Sequence, residues 1–121
     1  MINTEMIGFD GAGSLDITFA SELDSTAEGK AAKVSANKKI VVPSDDDIIH
    51  GKIIKVGKDG ASTVQIKGYV EFEYSTSTVP TAGYCKLLAD ASGGVKVDAT
   101  NGREYLVLSI DTANKIVGFI L

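Results

Sequence analysis

The sequence predicts an all-β fold: a single compact antiparallel β-barrel or barrel-like β-sandwich, preceded by a flexible N-terminal arm. Three features carry that reading. Residues 63–74 alternate without a break, with Val64, Ile66, Gly68, Val70, Phe72 and Tyr74 on one parity and Thr63, Gln65, Lys67, Tyr69, Glu71 and Glu73 on the other. Turn-forming residues recur between such runs. No segment carries the apolar stripe of a packed helix.

Residues 1–13 read as the arm, because glycines 8, 11 and 13 are interspersed with Ile2, Met6, Ile7 and Phe9 in no regular pattern. Residues 14–121 form the β domain. Its first period-two run sets Leu15, Ile17 and Phe19 against Asp16 and Thr18. Residues 21–33 open with Ser21-Glu22-Leu23-Asp24, which has the form of a capping box, but Gly29 and the missing stripe favour a loop or short strands. A strand over residues 38–42 ends before a turn at residues 43–47.

The run over residues 63–74 is too long for one straight strand at about 3.3 Å per residue, so Gly68 is the expected bend that wraps it around a core. Lys58-Asp59-Gly60, Ser92-Gly93-Gly94 and Asn101-Gly102 each predict a hairpin, and residues 111–115 predict another. Between them, Val95 with Val97 and then Leu106, Leu108 and Ile110 read as inward-facing sets. The closing strand, residues 115–121, runs to the last residue and is expected to lie within a sheet. Barrel and sandwich use the same alternation, and the sequence does not choose between them.

A chain of 121 residues, 44% of them hydrophobic, is the size of one domain with one hydrophobic core. Its formal charge of −4 and single arginine, Arg103, offer no footprint for a phosphate backbone, so no nucleic-acid partner is expected. One cysteine, Cys85, rules out an intramolecular disulfide and a Cys-rich zinc site. The longest apolar stretch, residues 116–121, is far short of the roughly 20 residues of a spanning helix, so no membrane partner is expected. Residues 1–13 lack the basic start and apolar run of an export signal.

No catalytic constellation emerges, and the expectation is a protein that is not an enzyme and needs no cofactor. Asp45-Asp46-Asp47 lacks the alternating ligands, glycine and distal glutamate of a calcium loop and reads as a solvated turn. His50 is the sole histidine, and no nucleophile elbow accompanies it. Gly8-Phe9-Asp10-Gly11-Ala12-Gly13 lacks the lysine and hydroxyl residue of a phosphate-binding loop. Cys85, within Tyr84-Cys85-Lys86-Leu87-Leu88, reads as a small core residue. Tyr69, Tyr74, Tyr84 and Tyr105 read as core and rim residues, with a sugar-stacking platform as the competing role for those that are exposed. In the arm, exposed apolar residues are costly unless a partner covers them, and such a segment can add a strand to a neighbouring sheet.

The order of elements from residue 39 onward resembles the head decoration, or capsid cement, proteins of tailed bacteriophages. The elements are Ile40-Val41-Val42 with Asp45-Asp46-Asp47, Ile49-His50-Gly51-Lys52-Ile53, Thr63-Val64-Gln65-Ile66-Lys67-Gly68-Tyr69-Val70, and Ala82-Gly83-Tyr84 leading to Leu88-Ala89-Asp90. Gly93-Gly94-Val95-Lys96-Val97 and Ile116-Val117-Gly118-Phe119-Ile120-Leu121 complete them. The resemblance covers about two-thirds of the chain and lies in pattern, not in any single motif. It implies a non-enzymatic virion protein, made in the host cytoplasm, that sits as a homotrimer on the outer surface of the expanded capsid and binds the major capsid protein. It also implies a capsid-contacting arm, which makes Ile2, Met6, Ile7 and Phe9 the candidate capsid-binding residues. Two other readings compete: a carbohydrate- or host-surface-binding β module of a virion, and a small hydrolase using His50.

Overall fold

A computed structural model describes residues 14–75 and 78–121. Ten strands form two antiparallel five-stranded sheets packed together as a β-sandwich, with no α-helix among the described residues. Sheet I contains β1 (Leu15–Phe19), β2 (Ala31–Ala36), β3 (Lys39–Val41), β4 (Gly51–Val56) and β5 (Ser62–Lys67), in the order β1-β5-β4-β2-β3. Sheet II contains β6 (Tyr69–Glu73), β7 (Gly83–Ala89), β8 (Val95–Val97), β9 (Arg103–Asp111) and β10 (Ile116–Ile120), in the order β6-β10-β9-β7-β8. Of the two architectures the alternation allows, the sandwich forms and the closed barrel does not. The reason is Gly68, which sends one alternating run into two sheets.

At Gly68 the backbone takes φ +101°, a conformation open to glycine and strained for other residues. The Gln65 side-chain amide braces the bend by donating to the carbonyls of Lys67 (3.0 Å) and Tyr69 (3.1 Å), while Leu121 N–H donates to the Gly68 carbonyl. Inward parity survives the bend. Val64 and Ile66 pack in one core, and Val70, Phe72 and Tyr74 in another.

The buried side chains accordingly form two clusters where the chain length predicts one. Ala32, Ile40, Ile53, Val56 and Val64 of sheet I cluster with Ala27 of the preceding 3₁₀ turn, joined by Phe19, Leu23, Val42 and Ile66. The larger cluster lines sheet II and also takes Ala31 and Ile49 from the first half. Consecutive alanines of β2, Ala31 and Ala32, thus face opposite cores, and both are buried. Tyr105 O–H donates to the Ile49 carbonyl at 3.0 Å, a buried bond tying the halves together.

The two sheets have one topology. Renumbering β6 to β10 as first to fifth gives the order 1-5-4-2-3 in both. In each, the residue after the first strand forms a parallel bridge to the start of the third, Ala20 to Lys39 and Tyr74 to Val95. In each, the fourth strand carries a bulge at the same register: Ile54 is the extra residue between Ile53 and Lys55, and Leu108 between Val107 and Ser109. The chain is therefore two copies of one five-stranded unit, with Ile53 matching Val107, Val64 matching Phe119 and Ala32 matching Cys85 by register.

Several sequence expectations hold. Residues 38–42 supply β3, residues 21–33 form a short 3₁₀ turn (Ser25–Ala27) and the start of β2, and the closing strand lies between β6 and β9. Lys58-Asp59-Gly60, Ser92-Gly93-Gly94 and residues 111–115 make hairpins.

Three expectations are corrected. Asn101-Gly102 does not join paired strands: β8 and β9 lie on opposite sides of β7, and the turn passes over Lys86 and Leu87 so closely that only glycine fits at position 102. In β9 the inward residues are Tyr105 and Val107, not Leu106 and Leu108, because the bulge moves the parity before Ile110 turns inward. Leu15 and Ile17 form a strand as expected but remain 45% and 38% exposed, since β1 is an edge strand paired along its length only with β5 among the described residues.

Candidate interaction surface

The outer face of sheet II carries an apolar row fixed by strand register. Tyr69 of β6 stands opposite Ile120 of β10, Ile120 opposite Leu106 of β9, and Leu106 opposite Tyr84 of β7. Val70, Phe119, Tyr105 and Cys85, one residue along, are buried on the inner face. The bulge adds Leu108 to the outer side. Tyr84 is 70% exposed and Leu108 42%, values that mark an open contact surface rather than a second core. The run Tyr105-Leu106-Val107-Leu108 is apolar on both parities, and that is the signal that could have shown a β9 with both faces adapted to contact.

One end of the row is built around Gly118. A side chain there would collide with the Tyr69 hydroxyl and Ser109, so the tyrosine lies across β10 in the space the glycine leaves. Its hydroxyl shares a 2.7 Å hydrogen bond with Ser109 Oγ and donates to Glu71 at 2.9 Å. Burial raises the Tyr69 pKa above its ordinary value, so the phenol stays protonated as the donor. Tyr69, Glu71, Ser109, Asp111 and Thr112 line a polar cavity of about 510 Å³ beside it.

The corresponding face of sheet I differs in charge. The row that matches Tyr69-Ile120-Leu106-Tyr84 is Asp16-Gln65-Lys52-Ala31. Ala31 is wholly buried in the core of the second unit, and Lys52 Nζ donates to the Glu71 carbonyl at 2.8 Å. Desolvation there lowers the Lys52 pKa. Beyond them Ile54, at the equivalent bulge, is 43% exposed between Lys52 and Lys55.

The residues considered for chemistry do not assemble. His50 is exposed, and its Nδ1 accepts from the Val34 amide at 2.9 Å, which holds the ring as a strand-end cap. Asp45 and Asp46 pair with Lys96, while Asp47 accepts from the Ser44 amide and pairs with Lys33 at 3.2 Å. Hydrogen bonds from Lys96 to the two carboxylates raise the lysine pKa. Among the described residues no group of three or more His, Cys, Asp and Glu is placed to hold a metal ion. Cys85 is buried on β7 opposite Tyr105. Tyr74 is a core residue, as its inward parity predicts, Tyr105 is buried as well, and no described helix is long and apolar enough to cross a membrane. Ile2, Met6, Ile7 and Phe9 lie outside the described residues.

Comparisons with family models, with curated proteins and with solved structures found no match to the chain.

Proposed function

We propose that the protein is a non-enzymatic structural virion component, a decoration or cement protein that binds the outer surface of an expanded phage capsid and stabilises it. The observation that carries the reading is the Tyr69-Ile120-Leu106-Tyr84 row with Leu108, an apolar face of the sheet on which Tyr84 and Leu108 are exposed and the other three half-buried. Such a face suits docking on another protein, where a few large side chains supply most of the affinity. The partner is the major capsid protein, and the arm residues Ile2, Met6, Ile7 and Phe9 supply a second point of attachment. A homotrimer multiplies these contacts, because after the first engages the others become intramolecular. A cement role draws its free energy from affinity for the expanded lattice over the precursor lattice, and needs no cofactor.

Co-sedimentation with expanded, undecorated heads tests this, with unexpanded heads as the control. Saturable binding to the expanded form and a gain in its heat resistance are the expected result. Binding to neither form would overturn the proposal. Deleting residues 1–13 is expected to leave the β domain folded and to weaken attachment.

A carbohydrate- or host-surface-binding module is the second reading, favoured by the polar cavity beside Tyr69. Tyr69 and Tyr84 share a face but stand three strands apart, about 14 Å at the usual strand spacing, with Ile120 and Leu106 between them. A glycan array separates the readings.

A further inference from the structure

From the open edge of sheet I we infer that the chain's own arm closes it, residues 5–9 folding back as an antiparallel strand beside β1. Leu15, Ile17 and Phe19 share the parity that faces the first core, and Phe19 packs there. Leu15 and Ile17 are nevertheless exposed, because the sheet ends at β1. Among the described residues β1 pairs along its length only with β5, and it meets β3 only past its end, at Ala20. There Ile17, Phe19, Ala20 and Ala61, with Lys38 and Asp59, line a largely apolar groove of about 560 Å³. The equivalent strand of the second unit is covered: Lys52 Nζ donates to the Glu71 carbonyl of β6, and the Gln65 amide to that of Tyr69.

Connectivity and sequence name the occupant. Ser14 joins β1 directly to residues 1–13, so the arm meets this edge at an effective concentration of about millimolar, far above that of any separate chain in dilute solution. Gly11-Ala12-Gly13 has the length and the closing glycine of a three-residue hairpin loop, whose third residue takes positive φ. That loop sets Phe9 opposite Leu15, Ile7 opposite Ile17 and Glu5 opposite Phe19. Two apolar arm residues then cover the two exposed residues of β1. The Glu5 carboxylate arrives where Lys38 lines the groove and its carbonyl accepts from the Ala20 amide. A two-residue turn at Asp10-Gly11 would instead set Glu5 opposite Asp16, like charge against like. Residues 1–10 extend to about 33 Å and β1 with Ser14 to about 20 Å at the usual rise, so the arm has the reach. The contact does not depend on the capsid reading. On that reading Ile7 and Phe9 have two uses, and a head must draw the arm off β1 before binding it.

Paired cysteines in the full chain test the register, in a Cys85→Ala background with thermal melts confirming that each variant folds. On mild oxidation Ile7→Cys/Ile17→Cys is expected to close a disulfide within one chain, read by mass spectrometry of a non-reducing digest. Ile7→Cys/Asp16→Cys lies one residue out of register, with its side chains on opposite faces, and should stay reduced. Hydrogen exchange gives a second readout without added cysteines. In the otherwise unaltered chain Ile7→Asp is expected to speed exchange of the β1 amides roughly tenfold, the factor for losing one buried aliphatic side chain, and to leave those of β7 unchanged. Failure of the first pair to cross-link overturns the contact, as do equal cross-linking of both pairs and a disulfide between two copies. Unchanged β1 exchange in Ile7→Asp overturns it too. Head binding is scored separately: an arm that locks to β1 in a protein that ignores heads keeps this contact and removes the capsid proposal, and the opposite pattern does the reverse.

Discussion

Tyr69 and Gly118 are a matched pair on neighbouring strands, the ring of one lying where the other has no side chain. Gly118→Ala is expected to cost about 1–3 kcal/mol by overpacking against the hydroxyl and Ser109. Tyr69→Phe loses the bonds to Ser109 and Glu71 and costs about 0.5–1.5 kcal/mol. In a Tyr69→Ala background the penalty of the alanine at position 118 should fall sharply. Urea unfolding of both single variants and the double variant measures that coupling.

Two buried tyrosines should respond in opposite directions to loss of the hydroxyl. Tyr105 O–H satisfies the Ile49 carbonyl, so Tyr105→Phe strands a buried acceptor and costs about 1–3 kcal/mol. Tyr74 Oη is buried with no hydrogen-bond partner among the described residues, so Tyr74→Phe is expected to be neutral or stabilising. Equal destabilisation in denaturant titrations of the two variants would contradict this assignment.

Gly68→Ala places a side chain at φ +101° and within about 3 Å of Ser14 and the Gln65 amide. The backbone strain alone is worth about 1–3 kcal/mol. Gln65→Ala, which removes the brace but not the glycine, should cost less than Gly68→Ala. Thermal unfolding of both variants orders them.

Acid should destabilise the protein through its turns. Backbone amides of Asn101 and Thr100 hold the Asp98 pKa below the ordinary carboxylate value, the Asn114 side chain and amide do so for Asp111, the Ser44 amide and Lys33 for Asp47, and Thr26 for Asp24. A depressed folded-state pKa contributes stability that is complete above the unfolded value of about 3.9 and is lost as pH falls through the folded one. The urea midpoint should therefore be flat at neutral pH and drop below about pH 4. Asp98→Asn should lower the neutral plateau and make that drop shallower.

Much of the fold was legible because the residues responsible act locally. The alternation through Gly68, the Asp-Gly and Gly-Gly turns and the closing strand announce themselves within a few positions. The internal duplication did not, since it keeps strand order and register rather than identity or burial: Asp16 matches Tyr69, Gln65 matches Ile120, and the buried Ala31 matches the exposed Tyr84. The β9 error has a related origin, because a one-residue bulge at Leu108 inverts the parity that pattern reading assumes constant. The turn at Asn37-Lys38, with Lys38 at φ 62°, lacks the glycine that flags other hairpins and passed unnoticed. Of the interaction surface, Tyr69 and Tyr84 were singled out from the sequence. Leu106 and Leu108 read as inward instead, because outward direction depends on register.

In each unit the first strand pairs with the fifth, so neither sheet closes until its last strand has been made. During synthesis β1 waits for β5 and β6 waits for β10. A nascent chain can thus complete its first unit while the second still lacks β10, the strand between β6 and β9, with the apolar residues of β6 and β9 uncovered. Each unit therefore exposes its apolar strands to solvent for as long as its fifth strand is missing, which makes the second unit the slower and more aggregation-prone half to assemble.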